Sequence, residues 1–452
     1  MTSALDLARA ALAQADGDTD VFVHKESSGL ARFAASEVHQ PTLIEDVVVR
    51  VRSVRGQRVG TATTNRIDDA GLEDVVRRAT AAAMIAPPDP DFPGLAPAAK
   101  IEAVEGFDET TAALGAEEQA RLAEAAIAAA ELPVYGFFTS GVVEMAIASS
   151  AGLAAEQRLT DASVLVLAAD EGRSGYAEAT AWRAGDIDVT AVAREATEKA
   201  ARTENADQIE PEAYPAVLEP YAFGELLQSF AHDSLGALGL LEKRGFFADR
   251  IGEHVFDEKI SIADDALDPR GLPKGFDFEG SPKQRVELVT GGVARGVVWD
   301  RLTASRAGGG TRTTGHAPPP DVLYWGPQPT ALSVARGDAD SVDDLVSLVG
   351  DGLYITRLHY LGVVHPREGV ITGMTRDGTF RIRNGKVAEP LVNLRFTVAM
   401  PELLREAPGL TRDVKLVNAT SFYGERYPYG ALVPALATTR FNVTGVGSTP
   451  GI

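Results

Sequence analysis

The sequence predicts an α+β protein in two parts. Residues 1–205 read as an α/β region, and residues 206–452 as a β-rich, barrel-like region decorated by helices. Three observations lead there. A helix–strands–helix order occurs twice before residue 205. The polar, proline-containing stretch 205–214 (NADQIEPEAY) then reads as a linker. Beyond it, one long helix is followed by short strand-like runs with turn residues between them.

In the first region, 4–14 (ALDLARAALAQ) has apolar residues at helical spacing. Strand-like runs follow at 21–24, 30–35, 46–54 and 57–64, the last two joined by an Arg55-Gly56 turn. Asp68 and Asp69 offer an N-cap to a helix over about 71–85, which the prolines of 87–94 (PPDPDFPG) stop. The second set has an Ala-rich helix at 117–130 and strands at 134–140, 142–149, 162–169 and 175–182. Its last helix, from about 191 to 202, is capped by Asp188 and Thr190. VVRRATAAA (75–83) and VAREATEKA (192–200) align at an offset of 117, matching Arg77 with Arg194, Ala79 with Ala196 and Ala83 with Ala200. The shared order suggests an internal duplication.

In the second region a helix is expected over about 222–242, and another from Ser341 through DDLVSLV. VELVTGG, GVVWDRLT, VLYWGP and TALSVARG read as strands. Asp377-Gly378 and Asn384-Gly385 read as two hairpin turns of a three-stranded meander. PALATTRFNVTGVG reads as a last strand.

The charge balance, 43 basic against 64 acidic residues, gives −21 with no basic cluster. Such a surface repels phosphate backbones, so nucleic acid is not an expected partner. No apolar run reaches about 18 residues, so no spanning helix and no membrane partner are expected. The N-terminus carries Asp6, Asp16 and Asp18 instead of a basic start and an apolar core, so the expected compartment is the cytoplasm. Zero cysteines exclude disulfides, thiolate zinc sites and Cys nucleophiles. Gly308-Gly309-Gly310 lacks a Walker lysine. Asp264-Asp265 and Asp338/Asp340 lack EF-hand spacing, and no GxSxG is present.

Several stretches, in order, resemble the TldD/PmbA family of peptidase subunits over nearly the whole chain. They are LARFAASEVHQ (30–40), VRGQRVGTATTNRIDD (54–69), the helix ending in APPDPDFPGL, residues 276–317, TRDGTFRIRNGKV (375–387) and LVPALATTRFNVTG (432–445). In that family, TldD-like members carry zinc through an HExxxH motif and a later Cys. PmbA (TldE)-like members lack those ligands and pair with a TldD-like partner. The resemblance implies a non-metal, TldE-like subunit of a cytoplasmic heteromeric metalloprotease that trims small or unfolded peptides, leader peptides of modified products among them. Zinc is then expected in the TldD-like partner, no cofactor in this chain, and a homodimer when the chain is alone. An older family label concerns modulation of DNA gyrase, and the acidic charge argues against reading it as DNA contact.

The deciding residues lie in FGELLQSFAHDSLGALGLLEK (223–243). His232 and Asp233 stand where the motif has His and Glu, Gly236 at its small position, and Ala237 in place of the second His. The region of the Cys corresponds to NATSFYGERY (418–427). Zinc hydrolysis needs three protein ligands and a base. One imidazole is missing, the acid is a methylene shorter, and the Cys is absent. One reading is thus a residual pair without metal. A second is a self-standing metal-dependent peptidase using His232, Asp233 and a further ligand; a third is a non-catalytic peptide-binding module. His359 and His365, six apart, would lie about 20 Å apart on a strand, too far for one metal. His316, in TTGHAPPP, is either a loop-packing residue or a peptide contact. With Arg312 and His232 it makes the candidate substrate-binding set, beside a Gly-rich loop that lets a peptide backbone come close.

Overall fold

The computed structural model describes residues 2–320, 322, 325–417 and 424–447. The first sheet comes from two like units. One is α1 (Ala4–Leu12), β1 (Thr19–Ala34), β2 (Glu37–Arg55), β3 (Arg58–Thr64) and α2 (Asp69–Ile85). After the short α3 (Glu109–Ala112), the other is α4 (Ala116–Ala129), β4 (Val134–Ser149), β5 (Ala154–Asp170), β6 (Arg173–Ala181) and α5 (Val189–Ala201). The strand order is β3-β2-β1-β4-β5-β6, every neighbouring pair antiparallel, so the units meet at β1 and β4.

Caps form where the sequence places them. Asp68 accepts the Gly71 N–H, and Asp188 accepts those of Thr190 and Ala191. The equivalence of the units reaches the packing. A Cβ on Gly60 of β3 would lie 2.3 Å from the Ala79 oxygen and 2.1 Å from the Ala83 nitrogen of α2. A Cβ on Gly175 of β6 would lie 2.2 Å from the Ala196 oxygen and 2.3 Å from the Ala200 nitrogen of α5. In each unit a glycine lets the last helix settle on the edge strand at the aligned alanines.

The runs 21–24 and 30–35 are one continuous strand, β1, and 134–140 and 142–149 are likewise one, β4. The Ser-Gly steps within these strands lie opposite one another, Ser28 facing Gly141 and Gly29 facing Ser140. They are small because both faces are crowded there. A Cβ on Gly29 would meet the Gln119 amide at 2.0 Å, and one on Gly141 would lie 2.6 Å from the Ser28 Cβ.

Helices cover one face of this sheet, with Val21, Val23, Val49 and Val51 under α1 and α2, and Ala31 and Phe33 under α4. The other face, with Phe22, Val143, Met145 and Ile147, packs on Phe276 and Phe278 of the second half.

The second half contains β7 (Ala213–Leu218), α6 (Pro220–Ser234), α7 (Ala237–Leu241), β8 (Ile262–Asp264), β9 (Val286–Thr290), β10 (Val293–Ala294), α8 (Arg301–Ala307), β11 (Ala331–Val334), α9 (Val342–Val349), β12 (Gly352–His365), β13 (Val370–Arg383), β14 (Lys386–Pro390), β15 (Leu394–Ala399), α10 (Met400–Leu403), β16 (Gly409–Val417) and β17 (Gly430–Val446). Its sheet runs β10-β9-β8-β11-β17-β15-β13-β12-β7, and β17 also pairs with β7, which curls the strands into a barrel-like form. Apolar residues surround α6 on most sides, among them Phe223, Leu226, Leu227 and Phe230, so it packs as a core helix against the curled strands.

Three local expectations change. Asp377-Gly378 is not a hairpin turn but an irregularity inside β13, with φ of 55° and 133°, held by Arg357 Nη1 on the Asp377 carboxylate at 2.6 Å. Asn384-Gly385, with φ of 50° and 72°, does turn β13 into β14. In GVVWDRLT the residues from Arg301 are helical, because Asp300 caps α8 through the Thr303 N–H. Of VLYWGP, Leu323 and Tyr324 lie outside the described residues, and Val322 and Trp325 are not in a strand. Among the described residues, no helix is long and apolar enough to cross a membrane.

Candidate functional site

The helix expected over about 222–242 is broken. α6 ends at Ser234, Gly236 is extended, and α7 starts at Ala237. The break has a cause the local sequence does not contain. The Val298 peptide bridges the gap, donating to the Leu235 oxygen and accepting from the Ala237 N–H, both at 3.0 Å. A Cβ on Gly236 would lie 2.2 Å from the Pro327 oxygen, so only glycine lets that strand of chain approach.

The break separates the motif residues. His232 is exposed on the last turn of α6. Asp233 is held by Arg244 Nη1 at 2.7 Å. Ala237 is wholly buried in the core. Among the described residues, no three His, Asp or Glu side chains converge as a metal ion requires. The residues present therefore do not fit a zinc site of the three-ligand kind. Residues 418–423 of the stretch that corresponds to the Cys region lie outside the described residues.

His232 does border a cavity of about 430 Å3. Phe278, Tyr427, Tyr429, Pro318 and Pro319 give it an apolar wall. Its polar lining includes Gln228, Lys283, His316 and Glu425. The structure thus brings His232 and His316 together and leaves out Arg312, which is exposed on the Gly-rich loop.

His316 is not available to a ligand through its nitrogens. Nε2 lies 2.7 Å from Asp264 Oδ1, and Nδ1 lies 2.9 Å from Thr314 Oγ1. Burial, then the nearby Lys283 charge, pushes its pKa down to about 4, so the ring is neutral and donates from Nε2–H to the carboxylate. Burial would raise Asp264, but His316, Lys283 and the Ala331 N–H outweigh it and hold its carboxyl well below the usual range. Asp264, which the sequence places in an exposed acidic loop, is instead fully buried and spends its other oxygen on the Thr330 and Ala331 N–H groups at 2.7 and 2.8 Å.

Two lysines and an acid beneath the cavity went unnoticed in the sequence. Lys274 is fully buried, and its Nζ donates to the Pro428 oxygen at 2.6 Å. Burial, then Lys283, lowers it to about 7. Burial likewise lowers Lys283, against the pull of Asp264 and Asp277. Asp277 is raised to about 7 by burial and by Glu279, although its oxygens accept N–H groups from Glu279, Ser281 and Ala317. The available signal was the run LPKGFDFEGSPKQ (272–284), where charged residues alternate with Gly, Pro and Phe, a pattern unlike a solvated surface.

One wall of the cavity is also tied to the first sheet. Arg426, beside the lining residues Glu425 and Tyr427, bonds Asp161 of β5 at 2.7 Å, and its N–H donates to Glu26 of β1 at 2.9 Å. His24 Nε2 meets the Arg426 oxygen at 2.8 Å.

Comparison with known proteins adds the family. A model described as the PmbA/TldA metallopeptidase C-terminal domain matches residues 211–445, and those of domain 1 and the central domain match 19–83 and 99–204. The chain belongs to the PmbA/TldD metallopeptidase family. A metalloprotease of Methanothermobacter thermautotrophicus is 26% identical over 252 residues, 54% of this chain and 53% of that one. A metalloprotease TldD homolog of Haemophilus influenzae is 24% identical over 266 residues, 58% and 54% of the two chains. The chain thus spans about half the length of the curated relatives it matches. The crystal structure of TldE from Thermococcus kodakarensis superposes with a TM-score of 0.86 at 17% identity, covering 97% of this chain and 99% of that one. At that identity the likeness establishes the fold alone.

Proposed function

We propose that this PmbA/TldD-family chain is the non-metal, TldE-like subunit of a heteromeric metallopeptidase. In this reading it contributes a cleft that binds peptide, while a TldD-like partner holds zinc. The state of the motif carries the reading: His232 stands alone at a helix end, Asp233 is engaged by Arg244, and the second-ligand position is a buried alanine. A self-standing metal peptidase needs Asp233 free to act on water, and the ion pair removes it from that role. The cavity of about 430 Å3 suits one or two residues of an extended chain and not a folded surface, which favours small or unfolded peptides as substrates. The formal charge of −21 disfavours nucleic acid as a partner. Alone, the chain would pair with itself about a two-fold axis, and the cytoplasm is the compartment this role calls for.

The test is purification of the chain alone and with a co-expressed TldD-like partner, followed by elemental analysis and cleavage of an unfolded peptide. The reading expects zinc and turnover only with the partner. About one zinc per isolated chain, lost on His232→Ala, would favour the self-standing peptidase. Peptide binding with no effect on any partner's turnover would favour a binding module.

A further inference from the structure

We infer that the cavity at the end of α6 is a pocket for a free carboxylate carried on an apolar residue, the C-terminal residue of a short peptide, with Lys283 as its counter-ion. The inference rests on the reading that this cavity takes peptide, and it specifies which end of the peptide enters.

Lys283 lines the cavity and is only 5% exposed. Its Nζ donates to Thr330 Oγ1 at 3.0 Å. An ammonium has three donors, and among the described residues Nζ makes no other hydrogen bond and no ion pair. The two acids nearest in charge do not supply one. Asp264 is committed to His316 and to two backbone N–H groups, and Asp277 to three. A cation withdrawn from water with donors to spare is costly, and an acceptor arriving in the cavity recovers that cost.

Lys274 makes the contrast. It is buried as deeply, but its Nζ meets the oxygens of Pro428, Leu272 and Thr330, so it is satisfied without a ligand. His316 is neutral and internally bonded, so it does not compete with Lys283 for an anion. The remaining wall sets what the carboxylate is attached to. Phe278, Tyr427, Tyr429 and the Pro318-Pro319 pair offer rings and no charge. Glu425, held by Arg50 at 2.5 Å, also lines the cavity. This acid disfavours a dianion such as phosphate and leaves an acceptor for peptide N–H groups. A monoanion with an apolar body and amide donors satisfies all of these walls at once.

The experiment uses the full chain, with the half-exposed Trp325 at the cavity as an intrinsic fluorescence reporter. The probes are N-acetyl-leucyl-phenylalanine with a free carboxylate and the same dipeptide as its C-terminal amide, titrated at pH 7.5 and checked by calorimetry. The acid is expected to bind at least about ten-fold more tightly than the amide, about 1.4 kcal/mol. Lys283→Gln is expected to abolish that preference and leave amide binding in place. The acid-to-amide ratio of the unmutated chain is decisive on its own, so a variant that fails to fold does not block the test. Equal binding of acid and amide overturns the carboxylate pocket and leaves the peptide cleft standing. Binding of neither at millimolar concentration overturns both. A preference for the acid that persists in folded Lys283→Gln overturns the role given to Lys283.

Discussion

Replacing Arg52 by methionine probes how the segment that brings Phe278 and Lys283 to the cavity is anchored to the first sheet. Arg52, on β2, is 2% exposed. Its Nε lies 3.0 Å from Asp20 Oδ2 on β1, and its Nη1 lies 2.8 Å from Glu279 Oε1 in the second half. Burial opposes the guanidinium charge, but Asp20 and Glu279 outweigh it and keep Arg52 protonated. For Asp20 burial wins over Arg52, so its carboxyl sits above the ordinary value. Methionine keeps most of the volume and leaves two buried acids facing each other. Removing one partner of a buried ion pair costs about 3–5 kcal/mol. At about 2.1 cal/mol/K per residue, a chain of 452 residues has an unfolding entropy of about 0.9 kcal/mol/K, so the Tm falls by about 3–5 °C. The pH dependence has a definite sign. Without Arg52 the folded-state pKa of Asp20 rises further above its unfolded value of about 4. A raised acid destabilises the fold above its pKa, and the penalty fades as pH falls and the acid takes up its proton. Calorimetry at pH 8 and pH 5 should therefore show the gap to wild type narrowing on acidification. Arg52→Met combined with Asp20→Asn and Glu279→Gln should regain part of the loss. A drop below about 1 °C, or a gap that widens at pH 5, would refute the reasoning.

Three further outcomes are expected. Gly60→Ala and Gly175→Ala each force a Cβ to within 2.1–2.3 Å of helix backbone, so each should lower the Tm by a similar amount, about 3 °C or more; a large loss at one and none at the other would break the equivalence of the two units. With the His316 pKa held at about 4 against an unfolded value of 6.5, its contribution is complete above pH 6.5 and is lost as pH falls toward 4. Urea midpoints across that range should decline, and His316→Gln should flatten the decline. In the reconstituted complex, His232→Ala should leave kcat within about three-fold of wild type with the partner's zinc retained; loss of turnover in an assembled, zinc-loaded complex would contradict a positioning role.

What the sequence discloses and what it withholds divide by range. Asp68, Asp188 and Ser341 cap their helices through N–H groups two or three residues on, so the signal and its cause are adjacent. Asn384-Gly385 turns for the same local reason. Asp377-Gly378 has nearly the same chemistry, yet its fate is decided by Arg357, twenty residues earlier in the chain, through a buried ion pair. The break at Gly236 depends on Val298 and Pro327, and the close pairing of Ser28-Gly29 with Ser140-Gly141 is crowded by Gln119 over Gly29 and Arg426 over Gly141. The site follows the same rule. His232 and His316 stood out as rare residue types in suggestive places, and both border one cavity. Lys283 did not, because a lysine in a loop ordinarily reaches solvent and only the assembled fold removes that option.

The two faces of the first sheet impose unlike constraints on its halves. Toward the helices each half brings its own pair, so a change in one unit can be answered within that unit, and the glycine-on-alanine seat survives in both. Toward the second half a short segment reaches across both units, with Arg426 holding Glu26 from one and Asp161 from the other. A lone arginine cannot treat two copies alike. Through that contact the two units answer to different requirements on that face. The clasp thus sets two units that are alike toward their helices to unlike tasks toward the second half.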